Sequence, residues 1–417
     1  MQPKAAQRLA HATLETWTAV SDRVANLEPA DAFLQTWWRK HPHFGSRDRR
    51  FIAETVYSAF RWKGWLDALP ATPALRLAAA YLLEATEPHV AAQALLELAE
   101  TPTELAPAGS LDLQGKAEWL TRTFALPQPP VLARLVPDWV APLLPADHFD
   151  AFVQAIQKRP PLWLRARTGD GAAVTALLLR EGYQAQPHPL LPDALRLDRA
   201  PPTSVIHSLA RRGCTPQDLH SQCVALACAP QPGQSWWDVC AGAGGKTLHL
   251  ADLMQGQGRI LATDIRENAL QELDRRASTM GNIKLTLRLL RPDAPPPGGP
   301  FDGVLVDAPC SGLGTWGRNP DARWRTSLET VERAVTAQTE LLQRAAAHVK
   351  PGGTLVYATC SITHAEGDAV FLEFLRKSGA KPHPFQLSLL PHPAPYLTLW
   401  PHPELGAGMY IARAVVQ

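Results

Sequence analysis

The chain of 417 residues has few cysteines and lacks any long apolar run. Its six cysteines all follow residue 210, and none of them belongs to a Cys-x-x-Cys pair. A disulfide framework and a zinc finger are therefore not expected. No stretch of about 18 apolar residues occurs, so the sequence predicts no transmembrane helix. We expect a protein of a reducing compartment, the cytoplasm, in which Cys223 and Cys228 are buried structural thiols.

The chain also has little net charge, +2, which by itself indicates no affinity for nucleic acid. One stretch near the start nevertheless combines basic with aromatic residues. Its basic members are Arg39, Lys40, Arg47, Arg49, Arg50, Arg61 and Lys63, and its aromatic members are Trp37, Trp38, Phe44, Trp62 and Trp65. This combination suits phosphate attraction and base stacking. It also suits a solvated helix face with its tryptophans in the core, and the sequence leaves both interpretations open.

Three regions with different patterns follow one another along the chain. Residues 1–125 have apolar residues at helical spacing, and their start lacks the apolar core of a signal peptide. Proline-rich joints at 126–130 and 159–161 indicate boundaries, and short strands and helices are predicted for 162–230. From residue 234 strands alternate with helices, which indicates a mostly parallel sheet with helices on both faces. We predict an α/β fold with three domains: a helical domain at 1–130, a small α/β segment at 145–230 and a Rossmann-like domain at 231–417.

A glycine-rich turn follows the first predicted strand of the third region. It reads CAGAGGKT from Cys240 to Thr247. Glycine lets the backbone approach a ligand closely, and the N-terminus of the following helix favours negative charge. The turn is not a P-loop, because Cys240 stands where that motif requires glycine. Asp264 ends the next strand and suits either a ribose contact or a helix cap. Glycine turn and acid together fit a nicotinamide cofactor and S-adenosylmethionine equally well.

Two further cysteines follow predicted strands of the same region. The run VLVDAPCSG places Asp307 and Cys310 at the end of one strand, and LVYATCS places Cys360 at the end of another. Ligands of a doubly wound sheet bind beyond the carboxyl ends of its strands, so we expect the two thiols to share a pocket. Paired thiols beside a cofactor indicate covalent chemistry.

These motifs resemble those of the RsmB/Nop/Sun family of RNA cytosine carbon-5 methyltransferases, whose fold is a Rossmann-like methyltransferase sheet. The matching segments are 160–165, 217–218, 221–222, 238–246, 263–265, 307–314, 318–321, 323–324 and 354–361. Residues 47–51, 56–57 and 61–62 are similar to the helical NusB-like RNA-binding domain that precedes some bacterial members. Arg167, Ala243 and Met409 depart from the family pattern, which indicates a divergent subgroup.

The resemblance implies S-adenosylmethionine as the cofactor and a role for each site residue. Cys360 would be the nucleophile that adds to carbon 6 of cytosine, Cys310 would assist release, and Asp307 would contact the cytosine edge or the cofactor. Lys246 is a cofactor or loop contact, or else a surface lysine, and Asp293 is the candidate adenine contact. The residues expected to bind the cofactor are Cys240, Ala241, Gly242, Ala243, Gly244, Gly245, Lys246, Asp264, Asp293 and Asp307.

The resemblance further implies a cytosine in RNA as the substrate, and the NusB-like domain favours ribosomal over transfer RNA. The base would be single-stranded or flipped from a helix. A non-catalytic RNA-binding or ribosome-assembly factor is the alternative from another class, although a scaffold needs no reactive thiols. DNA methylation is disfavoured, because the DNA enzymes use the cysteine of the Pro-Cys motif and Cys360 would be idle. We expect a monomer without membrane contact or a bound metal.

Overall fold

The computed structural model describes residues 3–100, 105–278, 284–291 and 298–417. By its contacts the chain divides into two compact units. Unit 1 consists of Met1–Lys158 with Trp316–Leu328, and unit 2 consists of Arg159–Thr315 with Glu329–Gln417. Within the described ranges, no helix combines the length and the apolarity needed to cross a membrane.

Unit 1 is helical, as its apolar periodicity predicts. Its helices are α1 Pro3–Ala25, α2 Ala30–Lys40, α3 Ser46–Leu66, α4 Pro73–Leu82, α5 Val90–Leu98, α6 Leu113–Thr123 and α7 Ala146–Ile156, with 3-10 turns at Leu132–Leu135 and Asp138–Leu143. Side-chain caps define two of the helix starts. Thr72 accepts a hydrogen bond from the Leu75 N–H at the start of α4, and Asp112 accepts one from the Gly115 N–H at the start of α6.

The basic and aromatic stretch of α2 and α3 divides between core and surface. Trp62 and Trp65 are 1% and 2% exposed, and Arg61 is 3% exposed. Both Trp62 Nε1 and Arg61 Nη1 donate to the Glu84 carboxylate, at 3.1 and 3.0 Å. For these three residues the RNA-contact interpretation is wrong, because their polar atoms serve hydrogen bonds inside the helical unit. Arg39, Lys40, Arg47 and Arg50 remain exposed, and Trp37, Trp38, Phe44 and Arg49 are half-buried.

Unit 2 begins with a small antiparallel sheet and three helices. The elements are β1 Leu162–Arg165, α8 Gly171–Arg180, β2 Ala185–His188, β3 Leu191–Leu197, α9 Thr203–Ala210, β4 Thr215–Pro216 and α10 Leu219–Cys228. The strands pair in the order β2-β3-β1-β4. Leu164 and Leu195 of the sheet pack against Val174 and Leu178 of α8, which covers one face.

The main sheet of unit 2 follows from residue 235. Its elements, and the short α13 that belongs to unit 1, are β5 Ser235–Asp238, α11 Gly245–Leu253, β6 Arg259–Asp264, α12 Glu267–Ala277, β7 Lys284–Leu289, β8 Phe301–Asp307, α13 Ala322–Arg325, α14 Leu328–Ala346, β9 Val349–Thr359, α15 Asp368–Ser378, β10 Lys381–Pro382, β11 Tyr396–Leu399 and β12 Met409–Val415. The described strands run in the order β7-β6-β5-β8-β9-β12-β10, and β11 also pairs with β12. The pairs from β7 to β9 are parallel, and the pairs of β12 are antiparallel. The predicted Rossmann-like sheet is therefore confirmed.

Both faces of this sheet are buried, which explains the uninterrupted apolar runs of its strands. Val304 packs in a cluster with Phe371 of α15, whereas its neighbour Leu305 packs in a second cluster with residues of α10 and α11. Cys223 and Cys228 lie in that second cluster and are 0% and 1% exposed. Their prediction as buried structural thiols is confirmed.

One segment of the catalytic half of the sequence packs in unit 1. Within Trp316–Leu328, Arg323 is fully buried, and its guanidinium donates to the carbonyl groups of Leu135 at 2.9 Å and Ile156 at 3.1 Å. The sequence interpretation treats 231–417 as one continuous domain. By packing, this segment belongs with the helices of unit 1.

Candidate active site

The glycine-rich turn connects β5 to α11 through residues in a left-handed conformation. Gly242 has a φ of +55° and Gly244 a φ of +84°, a region that favours glycine. A Cβ at position 244 would also lie 2.1 Å from Leu273 Cδ1. Gly244 is the N-cap of α11, so the unpaired N–H groups of the first helical turn begin here. The turn therefore has the backbone geometry of a cradle for an anionic or polar ligand.

Asp264 ends β6 and is hydrogen-bonded to the glycine turn. Its carboxylate accepts the Gly242 N–H at 2.8 Å and the Arg266 guanidinium at 3.0 and 3.1 Å. Burial by itself raises the pKa of Asp264, but the hydrogen bonds from Arg266 and Gly242 outweigh it and hold the pKa below its ordinary value. Helix α12 starts at Glu267 without a side-chain cap. Asp264 Oδ1 also accepts the backbone N–H of Arg266, the residue before α12, at 2.9 Å. The carboxylate is therefore ionised and lies between the glycine turn and the start of α12.

A second aspartate fixes the turn from beneath. Asp238 is fully buried and accepts the Thr247 hydroxyl at 2.6 Å, which joins the end of β5 to the first turn of α11. Burial raises the pKa of Asp238 to about 7. Burial also raises the pKa of the Cys240 thiol well above its ordinary value, so Cys240 is a neutral thiol of the turn.

Lys246 of α11 forms an ion pair with Asp307 at the end of β8. The Lys246 ammonium lies 2.7 Å from Asp307 Oδ2, and the two side chains are 13% and 26% exposed. Burial lowers the pKa of Lys246, but the Asp307 carboxylate outweighs it and raises the pKa above its ordinary value. The surface-lysine alternative is therefore excluded, and the pair ties the end of the glycine turn to the strand that leads to Cys310.

Cys310 and Cys360 follow the ends of the adjacent parallel strands β8 and β9, where Asp307 pairs in register with Ala358. Their sulfur atoms lie 3.1 Å apart. With the Cys310 thiol as donor, this hydrogen bond lowers the pKa of Cys360 and raises the pKa of Cys310. The shared sulfur pair thus has one member suited to be a thiolate and one suited to keep its proton.

The structure brings most of the predicted site residues together and adds others. Cys310 and Cys360 form one contact, Lys246 and Asp307 a second, and the glycine turn with Asp264 a third. Asp293 lies outside the described residues. Within the described part of the chain, no group of three or more His, Cys, Asp or Glu side chains is placed to hold a metal ion.

Sequence reasoning overlooked Arg266 on the Asp264 carboxylate and a buried glutamate, Glu366, beside the cysteines. Glu366 binds Ser311 and Ser361, which directly follow the two cysteines. The repeated Cys-Ser dipeptide at two strand ends was the available signal.

Comparisons with known proteins identify relatives of this chain. Residues 225–415 match the family described as 16S rRNA methyltransferase RsmB/F, and residues 136–204 match its ferredoxin-like domain, described as RsmF/B-like. The ribosomal RNA small subunit methyltransferase B of Citrobacter koseri is 32% identical over 309 residues, which cover 70% of each chain.

Solved structures share the fold. The crystal structure of PH0851 superimposes with a TM-score of 0.74 at 24% identity, covering 100% of this chain and 99% of that one. A methyltransferase homolog protein from Pyrococcus horikoshii gives a TM-score of 0.56 at 26% identity, covering 66% of this chain and 92% of that one. With the similarity to the Citrobacter koseri protein extending over 70% of both sequences, the chain belongs to the RsmB/F family of methyltransferases.

Proposed function

We propose that the protein methylates carbon 5 of a cytosine in ribosomal RNA of the small subunit, with S-adenosylmethionine as methyl donor. In this proposal Cys360 forms a transient covalent bond to carbon 6 of the base. The observation that carries it is the 3.1 Å separation of the Cys310 and Cys360 sulfur atoms at neighbouring strand ends. The Lys246–Asp307 pair, at the end of the strand before Cys310, joins that site to the glycine turn.

The chemistry requires a thiolate. Carbon 5 of cytosine is a poor nucleophile, and addition of the Cys360 thiolate to carbon 6 makes carbon 5 nucleophilic. An ordinary thiol is only a few per cent thiolate at neutral pH, so the hydrogen bond from Cys310, which lowers the pKa of Cys360, favours the reactive form. After carbon 5 gains the methyl group, a water molecule accepts the carbon-5 proton. The electron pair of that C–H bond re-forms the ring double bond, and the Cys360 sulfur leaves carbon 6 as a thiolate. Cys310 keeps its proton and donates a hydrogen bond to the departing sulfur.

Asp307 is placed to orient the base. Lys246 donates to Asp307 Oδ2, and the Asp307 side chain remains 26% exposed. A carboxylate accepts hydrogen bonds from the exocyclic amino group of cytosine. We therefore assign Asp307 to the cytosine edge, with Lys246 holding its orientation.

The residues of the glycine turn fit S-adenosylmethionine, which supplies an electrophilic methyl group when bound. The turn presents backbone at the start of α11 in a shape that a Cβ at Gly244 would displace by meeting Leu273, and Asp264 offers an ionised carboxylate for ribose hydroxyls. Arg266 already donates to Asp264, so the ribose must share or displace that contact. The adenine contact of Asp293 stays a prediction.

The helical unit supplies a surface suited to RNA, which we call the aromatic–basic surface. It consists of Trp37, Trp38, Arg39, Lys40, Phe44, Arg47 and Arg49. The Arg49 guanidinium lies 5.9 Å from the Trp38 ring centroid, and both residues line a cavity of about 470 Å³. Exposed aromatic rings and cations bind single-stranded RNA by stacking and by phosphate attraction. We assign RNA binding to this NusB-like domain, with the 145–230 segment as a second candidate, and place the reaction in the cytoplasm.

The substrate assignment follows the Citrobacter koseri relative, which is named for ribosomal RNA of the small subunit. The test incubates the protein with unmodified small-subunit ribosomal RNA and S-adenosylmethionine carrying a labelled methyl group. Nucleoside mass spectrometry should detect 5-methylcytidine, bisulfite sequencing should map it, and Cys360→Ala should yield none. Transfer RNA is assayed in parallel, and methylation of transfer RNA alone would reassign the substrate. RNA binding without methylation of either RNA would instead support the scaffold alternative.

A further inference from the structure

A buried carboxylate lies between the two cysteine loops. Glu366 is 0% exposed and belongs to the loop between β9 and α15. Burying a charge without hydrogen-bond partners is costly. The donors around Glu366 therefore indicate what this residue holds in place.

The main donors are the two residues that directly follow the cysteines. Glu366 Oε1 accepts the Ser311 N–H at 2.8 Å, and Oε2 accepts the hydroxyl groups of Ser311 and Ser361, the latter at 2.6 Å. Ser311 follows Cys310 and Ser361 follows Cys360. One carboxylate thus binds both loops at the residue next to each sulfur.

The carboxylate is fixed in turn by a helix and a strand. Gln338 of α14 donates to Glu366 Oε1 at 3.1 Å and to the Pro309 carbonyl at 3.0 Å. Tyr357 of β9 donates its hydroxyl to the Glu366 carbonyl oxygen at 2.5 Å. The position of Glu366 is therefore set by regular elements of the sheet domain and not only by its own loop.

A contribution to stability alone does not account for this arrangement. Apolar residues of similar volume often stabilise a core as well as buried charges do. Hydrogen bonds to an ionised acceptor are instead short and directional, so they fix geometry. The contact between the Cys310 and Cys360 sulfur atoms, at 3.1 Å, depends on such geometry because hydrogen bonds weaken steeply with distance and angle.

We propose that Glu366 is a positioning residue that sets the spacing of Cys310 and Cys360. It acts through Ser311 and Ser361. The functional meaning of the spacing rests on the proposed cytosine chemistry, in which one thiol lowers the pKa of the other and later assists its release.

The first test needs no RNA. Diamide oxidises two neighbouring thiols to a disulfide by taking up their two protons and two electrons, at a rate that depends on how often the sulfur atoms meet. Mass spectrometry of the peptides joined through Cys310 and Cys360 measures that rate in the parent, Glu366→Gln, Ser311→Ala and Ser361→Ala proteins. We expect at least a tenfold slower reaction in Glu366→Gln, about the loss that removal of a charge-assisted hydrogen bond produces. Each serine variant should be slower by roughly threefold or more.

The second test distinguishes the contribution of the Cys360 loop from that of the Cys310 loop. RNA containing 5-fluorocytosine has no carbon-5 proton to lose, so after methyl transfer its adduct cannot be released. Its formation therefore reports attack by Cys360 and methyl transfer without the release step, whereas unmodified RNA reports the complete cycle. Ser361→Ala should slow adduct formation about fivefold or more, because Ser361 holds the Cys360 loop. Ser311→Ala should slow adduct formation by about threefold or more, because it displaces the thiol whose hydrogen bond lowers the pKa of Cys360. Unlike Ser361→Ala, it should also let an adduct accumulate on unmodified RNA, because it loosens the loop of Cys310.

Asp302→Asn is the matched control. At the opposite end of β8, the Asp302 carboxylate also accepts the N–H and the hydroxyl of a serine, Ser235, at 2.8 Å each. This variant should lose stability while keeping the disulfide and adduct rates of the parent. If Glu366→Gln does not fold, the rates of Ser311→Ala and Ser361→Ala alone test whether Glu366 sets the spacing of the two cysteines.

Parent-like disulfide and adduct rates in Ser311→Ala and Ser361→Ala would overturn the positioning role, whatever their stability. The disulfide and adduct measurements can also fail separately, which distinguishes the proposed cytosine chemistry from the positioning role of Glu366. If the parent forms no adduct while the disulfide rates fall as expected, the cytosine chemistry is wrong and the spacing role of Glu366 stands.

Discussion

The ammonium of Lys246 lies 2.7 Å from the carboxylate of Asp307, so the helix after the glycine turn is bonded to the strand that leads to Cys310. The glycine turn and the strand before Cys310 are thus joined by one ion pair, and a shift of either one would disturb that pair. Because the pair is largely buried, removal of one partner leaves a charge that water stabilises poorly.

Asp307→Asn is expected to reduce methyl transfer by about 100-fold or more, since it removes the negative charge that we propose to bind the cytosine amino group and that pairs with Lys246. Stability should fall by roughly 1–3 kcal/mol, measured by urea unfolding. Asp302→Asn breaks the more exposed pair with Lys350 at the other end of β8 and weakens the hydrogen bonds from Ser235. It should cost about 1–2 kcal/mol without loss of activity. An Asp307→Asn protein with the activity of the parent would show that the pair is only structural.

Cys310→Ala should raise the pKa of Cys360, because it removes the hydrogen bond that is the main cause of the lowered value. The thiolate fraction of Cys360 at neutral pH should then fall, and its alkylation by iodoacetamide should slow. Peptide mass spectrometry across a pH series measures the shift. Cys310→Ser keeps a hydroxyl donor and should raise the pKa of Cys360 by less. Identical pH profiles of Cys360 alkylation in the parent, Cys310→Ala and Cys310→Ser proteins would contradict the role of Cys310 as hydrogen-bond donor.

Asp238 should make the protein less stable as the pH rises. The pKa of Asp238 is about 7 in the folded chain, against an ordinary value of 3.8, so between about pH 4 and 7 the folded state binds more protons than the unfolded state. The free energy of unfolding therefore decreases with pH across that window. Asp238→Asn should remove this contribution, so that its stability relative to the parent rises by on the order of 2–4 kcal/mol from pH 4 to pH 7.5. Urea unfolding at several pH values measures the free energy of unfolding of both proteins. A difference between the two that does not change with pH would contradict the raised pKa of Asp238.

Gly244→Ala should weaken S-adenosylmethionine binding at least about tenfold, because a Cβ would meet Leu273 at 2.1 Å and displace the turn. Gly256 has a similar left-handed φ of +68° but has nothing within 4 Å of a Cβ. Gly256→Ala should therefore cost only the conformational strain of about 1–2 kcal/mol and leave affinity unchanged. Calorimetric titration measures the affinity of both variants for S-adenosylmethionine. Equal affinities of Gly244→Ala and Gly256→Ala would show that the glycine turn does not bind the cofactor.

The aromatic–basic surface should contribute stacking and phosphate contacts to RNA binding. Trp38→Ala should weaken RNA affinity by about 1–3 kcal/mol, and Arg39→Gln should reduce the slope of log affinity against log salt by about 0.7–0.9. Arg122, an exposed cation on α6 of the same helical unit, provides the control variant Arg122→Gln. Equal effects of the Arg39 and Arg122 variants would show that the attraction is not local to this surface.

Local sequence patterns were sufficient to predict the main sheet and the residues at the ends of its strands. Apolar runs located β8 and β9, because strands buried on both faces need no polar alternation. The glycine turn and both cysteines were also predictable, since their spacing from the strands is set by a few neighbouring residues. Trp62 and Trp65 were ambiguous, because helical periodicity does not reveal which face of α3 meets the other helices.

The residues that sequence reasoning overlooked depend on contacts between distant parts of the chain. Glu366 binds Ser311, which lies 55 residues away, and only the pairing of β8 with β9 brings them together. Arg323 donates to Leu135, 188 residues away, which explains why a segment of the predicted third domain packs in the helical unit. The Cys-Ser dipeptides mark one side of the first contact, but no local pattern identifies Glu366 or Leu135 as the distant partner.

The most direct test of the central claim is to identify the residue that bonds to cytosine. Cys310→Ala protein is incubated with unmodified small-subunit ribosomal RNA and S-adenosylmethionine, digested with nuclease and protease, and analysed by mass spectrometry. The account predicts a trapped peptide in which Cys360 is joined to a methylated cytidine nucleotide. Production of 5-methylcytidine by Cys360→Ala protein, or an adduct through another residue, would contradict it.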